Sequence, residues 1–154
     1  MWIFMNIEET IYQNIVDNSE KKLKEIYFVA CGGSLVDMYV ANYLLEHESL
    51  TLTSGWFTSN EFVKFPPKRL GKQSLVILCS HSGNTLETIN AGKMAKKAGA
   101  QTVGFTFNEK ADLLETADYS YIYDWGNERE VSNNPMALIC LLYTSDAADD
   151  MQCV

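Results

Sequence analysis

Apolar residues run almost without interruption at two places in the chain, Ile26–Ala30 and Ser74–Cys79, and each run stops at a cluster of small polar residues. A short continuous apolar run is what a strand covered on both faces requires. Around these runs the apolar spacing changes to three and four. Ile7, Ile11, Ile15 and Leu23, with Val16 beside Ile15, predict a helix over Ile7–Lys24, its acids early (Glu8, Glu9) and its lysines late (Lys21, Lys22, Lys24), as a helix dipole favours. The same period returns in Leu35–Leu45, through Leu35, Met38, Tyr39, Ala41, Asn42 and Leu45. It returns again in Thr85–Gly99, with Leu86, Ile89, Ala91 and Met94 inward and Lys93, Lys96 and Lys97 late.

Weaker signals fill the gaps. Leu50–Thr53 reads as a second strand, followed by an aromatic loop, Gly55-Trp56-Phe57. A short helix is expected over Asn60–Val63, ended by Pro66-Pro67. Thr102–Phe107 and Tyr119–Tyr123 read as a fourth and a fifth strand, and Val131–Leu142 starts another helix. Strands alternating with helices force parallel pairing, with helices over both faces. Right-handed crossovers then give an α/β fold, a three-layer α/β/α sandwich on a five-stranded parallel, flavodoxin-like sheet. In such sheets ligands sit beyond the carboxyl ends of the strands, where Cys31–Ser34 and Ser80–Thr85 both fall.

Composition narrows the function. With 154 residues, 47% hydrophobic and 21% charged, the chain suits one buried core. A net charge of −8 argues against a nucleic-acid partner, because no basic stripe is present to displace counterions. It also means that an anionic ligand would need a local cup of backbone N–H groups. No apolar run is long enough to span a bilayer, and Met1–Met5 has no basic leader of the secretory kind. Cys31, Cys79, Cys140 and Cys153 show no paired metal spacing and read as reduced thiols of a cytoplasmic protein, with no metal and no cofactor expected.

The segment Cys140–Asp149 matches the in-frame translation of a transposase sequencing adapter, TGT CTC TTA TAC ACA TCT GAC GCT GCC GAC. On that reading residues 1–24 are an N-terminal helix, 25–139 a truncated domain and 140–154 a non-native tail. The true N-terminus stays open at this point.

The chemistry centres on Ser80-His81-Ser82-Gly83-Asn84-Thr85, which follows a buried strand and opens a helix, so unpaired N–H groups gather there. Gly83 permits a tight path, and Ser80, Ser82 and Thr85 add hydroxyls. The loop has no Lys or Arg, which excludes a Walker-type nucleotide loop. A compact phosphate monoester fits what remains. The plainer alternative is a simple cap and turn, which Ser, Asn and Thr also favour.

Ala30-Cys31-Gly32-Gly33-Ser34 resembles the Cys-Gly-Ser/Thr-Ser turn of sugar-isomerase (SIS) domains, and Ser80–Thr85 resembles their Ser-x-Ser-Gly-x-Thr phosphate loop. The similarity runs from about Glu25 to Asp124. Ile26–Gly32, Ser54-Gly55-Trp56 and Gly104-Phe105-Thr106 further resemble fructosamine-6-phosphate deglycases, the fructoselysine-6-phosphate enzymes among them. The resemblance implies phosphate contacts from Ser34, Ser80, His81 (through its backbone), Ser82 and Thr85, with Gly32, Gly33 and Gly83 shaping the turns. Gly33 departs from glucosamine-phosphate synthase-like members, which carry Thr or Ser there, so that contact is lost or moves to an amide.

Other residues have bland and sharp readings side by side. The His81 ring is either a proton carrier or solvent-facing, and His47 reads as surface. Trp56 and Phe57 suit a sugar wall, a dimer surface or the core. Glu128 and Glu130 read as a solvated acidic pair, and Val131–Asn134 weakly resembles the segment that SIS proteins lay against the sugar.

The resemblance implies the phosphosugar-binding lobe of a deglycase or aldose–ketose isomerase acting on a phosphorylated sugar or sugar amine, paired with a second SIS lobe or as a homodimer. The catalytic acid–base residues are expected chiefly in that second lobe. The alternatives are a non-catalytic SIS sensor, whose class carries a helix-turn-helix domain ahead of the sheet, and a receiver-like domain, which would need acidic strand ends. Purified residues 1–139 are therefore expected to turn over sugar-amine phosphates poorly. A steady-state assay finding parent-like rates would refute this.

Overall fold

A computed structural model of the protein describes residues 23–123. Its elements are β1 (Glu25–Ala30), α1 (Gly33–Asp37), α2 (Tyr39–Glu48), β2 (Thr53–Thr58), α3 (Ser59–Lys64), β3 (Ser74–Cys79), α4 (Leu86–Ala98), β4 (Gln101–Thr106), α5 (Asp112–Thr116) and β5 (Tyr119–Ile122). The five strands are parallel, in the order β2-β1-β3-β4-β5. The order reverses direction between β1 and β3, and doubly wound sheets open their ligand crevice at such a point. The expected helices over Ile7–Lys24 and Val131–Leu142 lie mainly or wholly outside the described residues, as do Glu128, Glu130 and Val131–Asn134.

The apolar runs explain the centre of the sheet. All six residues of β1 are buried because alternate side chains serve two cores. Ile26, Phe28 and Ala30 join Leu35 and Met38 on one face, while Tyr27 and Val29 join Phe62, Ala91 and Leu113 on the other. Each such aliphatic or aromatic side chain removed from water contributes about 1.5–3 kcal/mol before entropy is counted. Helices α1 and α2 cover the first face, and α3, α4 and α5 the second. The result is the three-layer sandwich.

Three details differ from the pattern. The second strand begins at Thr53 and takes in Gly55-Trp56-Phe57, which the pattern assigned to a loop, while Leu50 is fully exposed. β2 is an edge strand with only one protected neighbour, so it needs no continuous apolar run. A Cβ at Gly55 would stand 3.0 Å from the Tyr27 ring, which is why a glycine occupies the middle of the strand. The single helix expected over Leu35–Leu45 breaks at the buried Met38, and Tyr39, expected inward, is half-exposed. On α4, Leu86 points outward, and the buried stripe is Thr88, Ile89, Ala91, Gly92 and Ala95. These small residues let the helix sit close to the sheet, since a Cβ on Gly92 would come 2.8 Å from Leu78.

The start of β5 is tied to β4 by Asp118, whose carboxylate accepts from the Thr102 amide (3.0 Å), the Thr102 hydroxyl (2.8 Å) and Lys96 Nζ (2.9 Å). Partial burial alone would raise this carboxyl. Hydrogen bonds from Lys96 and Thr102 outweigh it and hold the group below its ordinary 3.8. A lowered carboxyl stabilises the fold in full above its unfolded value and loses that contribution as pH falls through the folded one. Urea midpoints of the wild type and Asp118→Asn should therefore differ above about pH 4 and converge in stronger acid. A pH-independent gap would contradict this account.

Candidate functional site

Two turns meet at the carboxyl ends of β1 and β3, which are paired Ala30 to Cys79. In the first, Gly32 takes φ +57° and precedes α1, and Ser34 sits half-buried in the first turn of that helix. The Ser34 hydroxyl lies near enough to the Cys79 thiol to pull its pKa down, which places the first turn beside the end of β3. Burial, with the negative charge of Asp37 adding to it, pushes that thiol up to about 12 against the pull of Ser34. Cys79 is thus a protonated packing group and not a nucleophile.

The second turn, Ser80–Thr85, is held from behind. Three consecutive carbonyls are taken by the segment that runs from the end of β4 into the start of α5. His81 O accepts from Thr106 Oγ1 (3.0 Å) and from the Phe107 amide (3.3 Å), Ser82 O from Asn108 Nδ2 (3.0 Å), and Gly83 O from the Leu113 amide (3.0 Å). Asn84 Oδ1 adds a fourth tie, accepting from the Asp112 amide at 3.1 Å. Because a peptide's C=O and N–H point oppositely, these ties turn the following amides away from that segment.

Ser80 is 2% exposed, and its hydroxyl accepts from the Gly83 amide (3.1 Å) and shares a 2.8 Å bond with Thr85 Oγ1. Thr85 is the N-cap residue of α4, yet its side chain makes no cap hydrogen bond. Of the plainer alternative, the turn is present in the Gly83 amide bond to Ser80 O (3.0 Å), while the cap is absent at Thr85, whose hydroxyl turns to Ser80 instead. The first-turn amides of α4 have no acceptor within their own helix, and they point out of its start beside the crevice. Ser82 is exposed at the outer edge, its hydroxyl 3.3 Å from the Asn84 amide.

The structure thus gathers Gly32, Ser34, Ser80, Gly83 and Thr85 at the carboxyl ends of the adjacent strands β1 and β3, Ser80 and Gly83 buried, with Gly33 opening α1 and Ser82 exposed at the edge. The His81 ring is not turned out to solvent. It is half-buried, stacks on Phe107 (centroids 4.6 Å, 16°) and bonds Tyr123 Oη through Nδ1 (3.0 Å). His47 is exposed, as expected, and stacks on Tyr43. Trp56 donates to Leu35 O at 2.8 Å, next to the first turn, and Phe57 joins the core with Tyr27 and Phe62.

Sequence reasoning missed Thr88 and Ser59, whose buried hydroxyls pair at 2.9 Å below the crevice, with Thr88 Oγ1 also 4.0 Å from Cys31 Sγ. Thr106 was named only within the Gly104-Phe105-Thr106 resemblance and given no role, and Asn108 and Tyr123 were missed. The one available signal was Thr88 sitting on an otherwise apolar helix stripe. Among the described residues no group of three His, Cys, Asp or Glu is placed to hold a metal, and no helix is long and apolar enough to cross a membrane.

The SIS domain family model matches residues 21–145. The chain belongs to that family. Among relatives of this SIS domain, the Bacillus subtilis fructosamine deglycase FrlB is 45% identical over 112 residues, covering 73% of this chain and 34% of FrlB. The fructoselysine 6-phosphate deglycase of Escherichia coli K12 is 34% identical over 113 residues, 71% of this chain and 32% of that protein. A solved Salmonella typhimurium LT2 protein, assigned as a phosphosugar isomerase, superposes with a TM-score of 0.73 at 39% identity, over 79% of this chain and 36% of the other. The chain spans about a third of the length of the curated relatives it matches.

Gly83 is the residue on which this arrangement turns. It has φ +70°, and a Cβ there would run into the Ala111 side chain and stand 2.6 Å from Thr106 Oγ1. Left-handed strain and overpacking together predict a loss of about 2–4 kcal/mol for Gly83→Ala. Chemical denaturation measures it, and an unchanged midpoint would show that the loop is not locked as described.

Proposed function

We propose that this SIS domain is the phosphosugar-binding lobe of a fructosamine-6-phosphate deglycase or related aldose–ketose isomerase. Phosphate is held by Ser34, Ser80, Ser82 and Thr85 together with the backbone N–H of His81 and the first-turn amides of α4. The observation that carries the reading is the uncapped start of α4, ringed by hydroxyls, at the point where the strand order reverses. The 45% identity to a fructosamine deglycase supports the choice of sugar-amine chemistry.

The magnitudes suffice without a cation. A hydrogen bond to a charged group contributes about 1.5–3 kcal/mol, and a helix start up to about 2 kcal/mol. Four such bonds, less ordering costs, support dissociation constants of roughly micromolar to millimolar. Opening a sugar-amine adduct or moving a proton between neighbouring carbons also needs an acid–base group. In this reading it comes from a second SIS lobe that pairs with this one, in a cytoplasmic protein whose thiols stay reduced.

Calorimetric titration with fructose 6-phosphate tests the binding half of the proposal. Ser82→Ala combined with Thr85→Ala should weaken affinity by about 100-fold, the loss of two charge-assisted bonds. Equal affinity in the double variant would overturn it.

A further inference from the structure

Tyr123 stands outside the phosphate-loop motif, yet it is 3% exposed and its only described side-chain hydrogen bond is to that motif. We infer that Tyr123 is a positioning residue for the Ser80–Thr85 loop, donating to His81 Nδ1 so that the imidazole is fixed against Phe107 as its Nε2-protonated tautomer. The inference rests on the phosphate-loop reading above and adds a residue to it.

The direction of the hydrogen bond follows from accounting. The backbone of Tyr123 is fixed, since its amide donates to Thr106 O at 3.0 Å. Burial above all, with Cys79 and Asp37 adding to it, raises the phenol's pKa, so its proton stays on. A buried O–H left without an acceptor costs about 1–3 kcal/mol. Among the described residues His81 Nδ1 is the acceptor within reach, at 3.0 Å, and it can accept only in the Nε2–H tautomer.

The loop gains from this because His81 is then gripped at both its main chain and its ring. Thr106 Oγ1 and the Phe107 amide hold its carbonyl, Phe107 stacks on its imidazole, and Tyr123 closes the third side. All three supports come from β4, its connection and the end of β5, so the carboxyl edge of the sheet sets the path of the loop before any ligand arrives. A loop fixed beforehand has less freedom to lose on binding, which improves affinity without a new ligand contact.

The test uses the full chain with fructose 6-phosphate as probe. In ¹⁵N-histidine NMR spectra of the wild type, the His81 Nδ1 signal should be that of an unprotonated ring nitrogen. Tyr123→Phe should disturb that tautomer, speed amide exchange in Ser80–Thr85 and raise the dissociation constant about tenfold. His81→Leu should lose as much, and His81→Asn, which restores an acceptor near the Nδ1 position, should recover part of it. A protonated Nδ1 in the wild type overturns the inference, as does wild-type affinity in a folded Tyr123→Phe. If the wild type binds no fructose 6-phosphate, the sugar-phosphate reading fails instead. The positioning claim is then decided by the tautomer and loop exchange: faster exchange in Tyr123→Phe supports it, and unchanged exchange overturns it.

Discussion

The architecture of the β3–α4 loop depends on how the segment from the end of β4 into α5 holds three of its successive carbonyls. His81, Ser82 and Gly83 each present C=O to that segment, and each bond is 3.0 Å long at its shortest. Once those oxygens are fixed, planar peptides decide where the intervening amides go. Gly83 takes a positive φ there, with Ala111 and Thr106 packed where a Cβ would stand. The hydroxyl pair Ser80–Thr85 in turn leaves the start of α4 without a side-chain cap. A single set of backbone ties thus produces the loop's shape, its glycine requirement and its open helix start.

Charge placement follows a similar logic. Lys24, Arg69 and Lys72 line a depression of about 570 Å³ with Glu25 and Gln73, at the amino ends of β1 and β3. A six-residue strand is about 20 Å long, and surface charges are screened within about 8–10 Å at ordinary salt. These cations are therefore too far from the Ser80–Thr85 loop to contribute there. At the other end of the sheet Lys110 lies on the connection after β4, two residues from the Asn108 that bonds Ser82 O, and the loop itself offers amides and hydroxyls.

What the sequence made legible, and what it did not, divides along sequence separation. β1 and β3 were plain because strands covered on both faces must be apolar throughout, and the Ser80–Thr85 turn was plain because its residues are contiguous. β2 was placed too early, since an edge strand reading Thr-Ser-Gly-Trp-Phe-Thr has a mixed burial pattern and no run to announce it. The five-residue α5 escaped notice, having only Leu113 fully buried to mark a period. The supports of the loop were invisible for a different reason. Thr106 lies 25 residues and Tyr123 42 residues from His81, and no local pattern encodes such a meeting. The motif was readable; its foundation was tertiary.

The same foundation bears on the division of labour proposed for the parent protein. Two titratable groups flanking the crevice are locked in their neutral forms, the Cys79 thiol pushed up to about 12 by burial and the Tyr123 phenol raised for the same reason. Neither is a base near neutral pH, and efficient proton transfer wants a group whose pKa lies close to the working pH. The His81 ring, stacked on Phe107 and bonded to Tyr123, is placed to brace the loop. A lobe built this way favours rigid recognition over proton movement. The chain spans about a third of the length of its deglycase relatives.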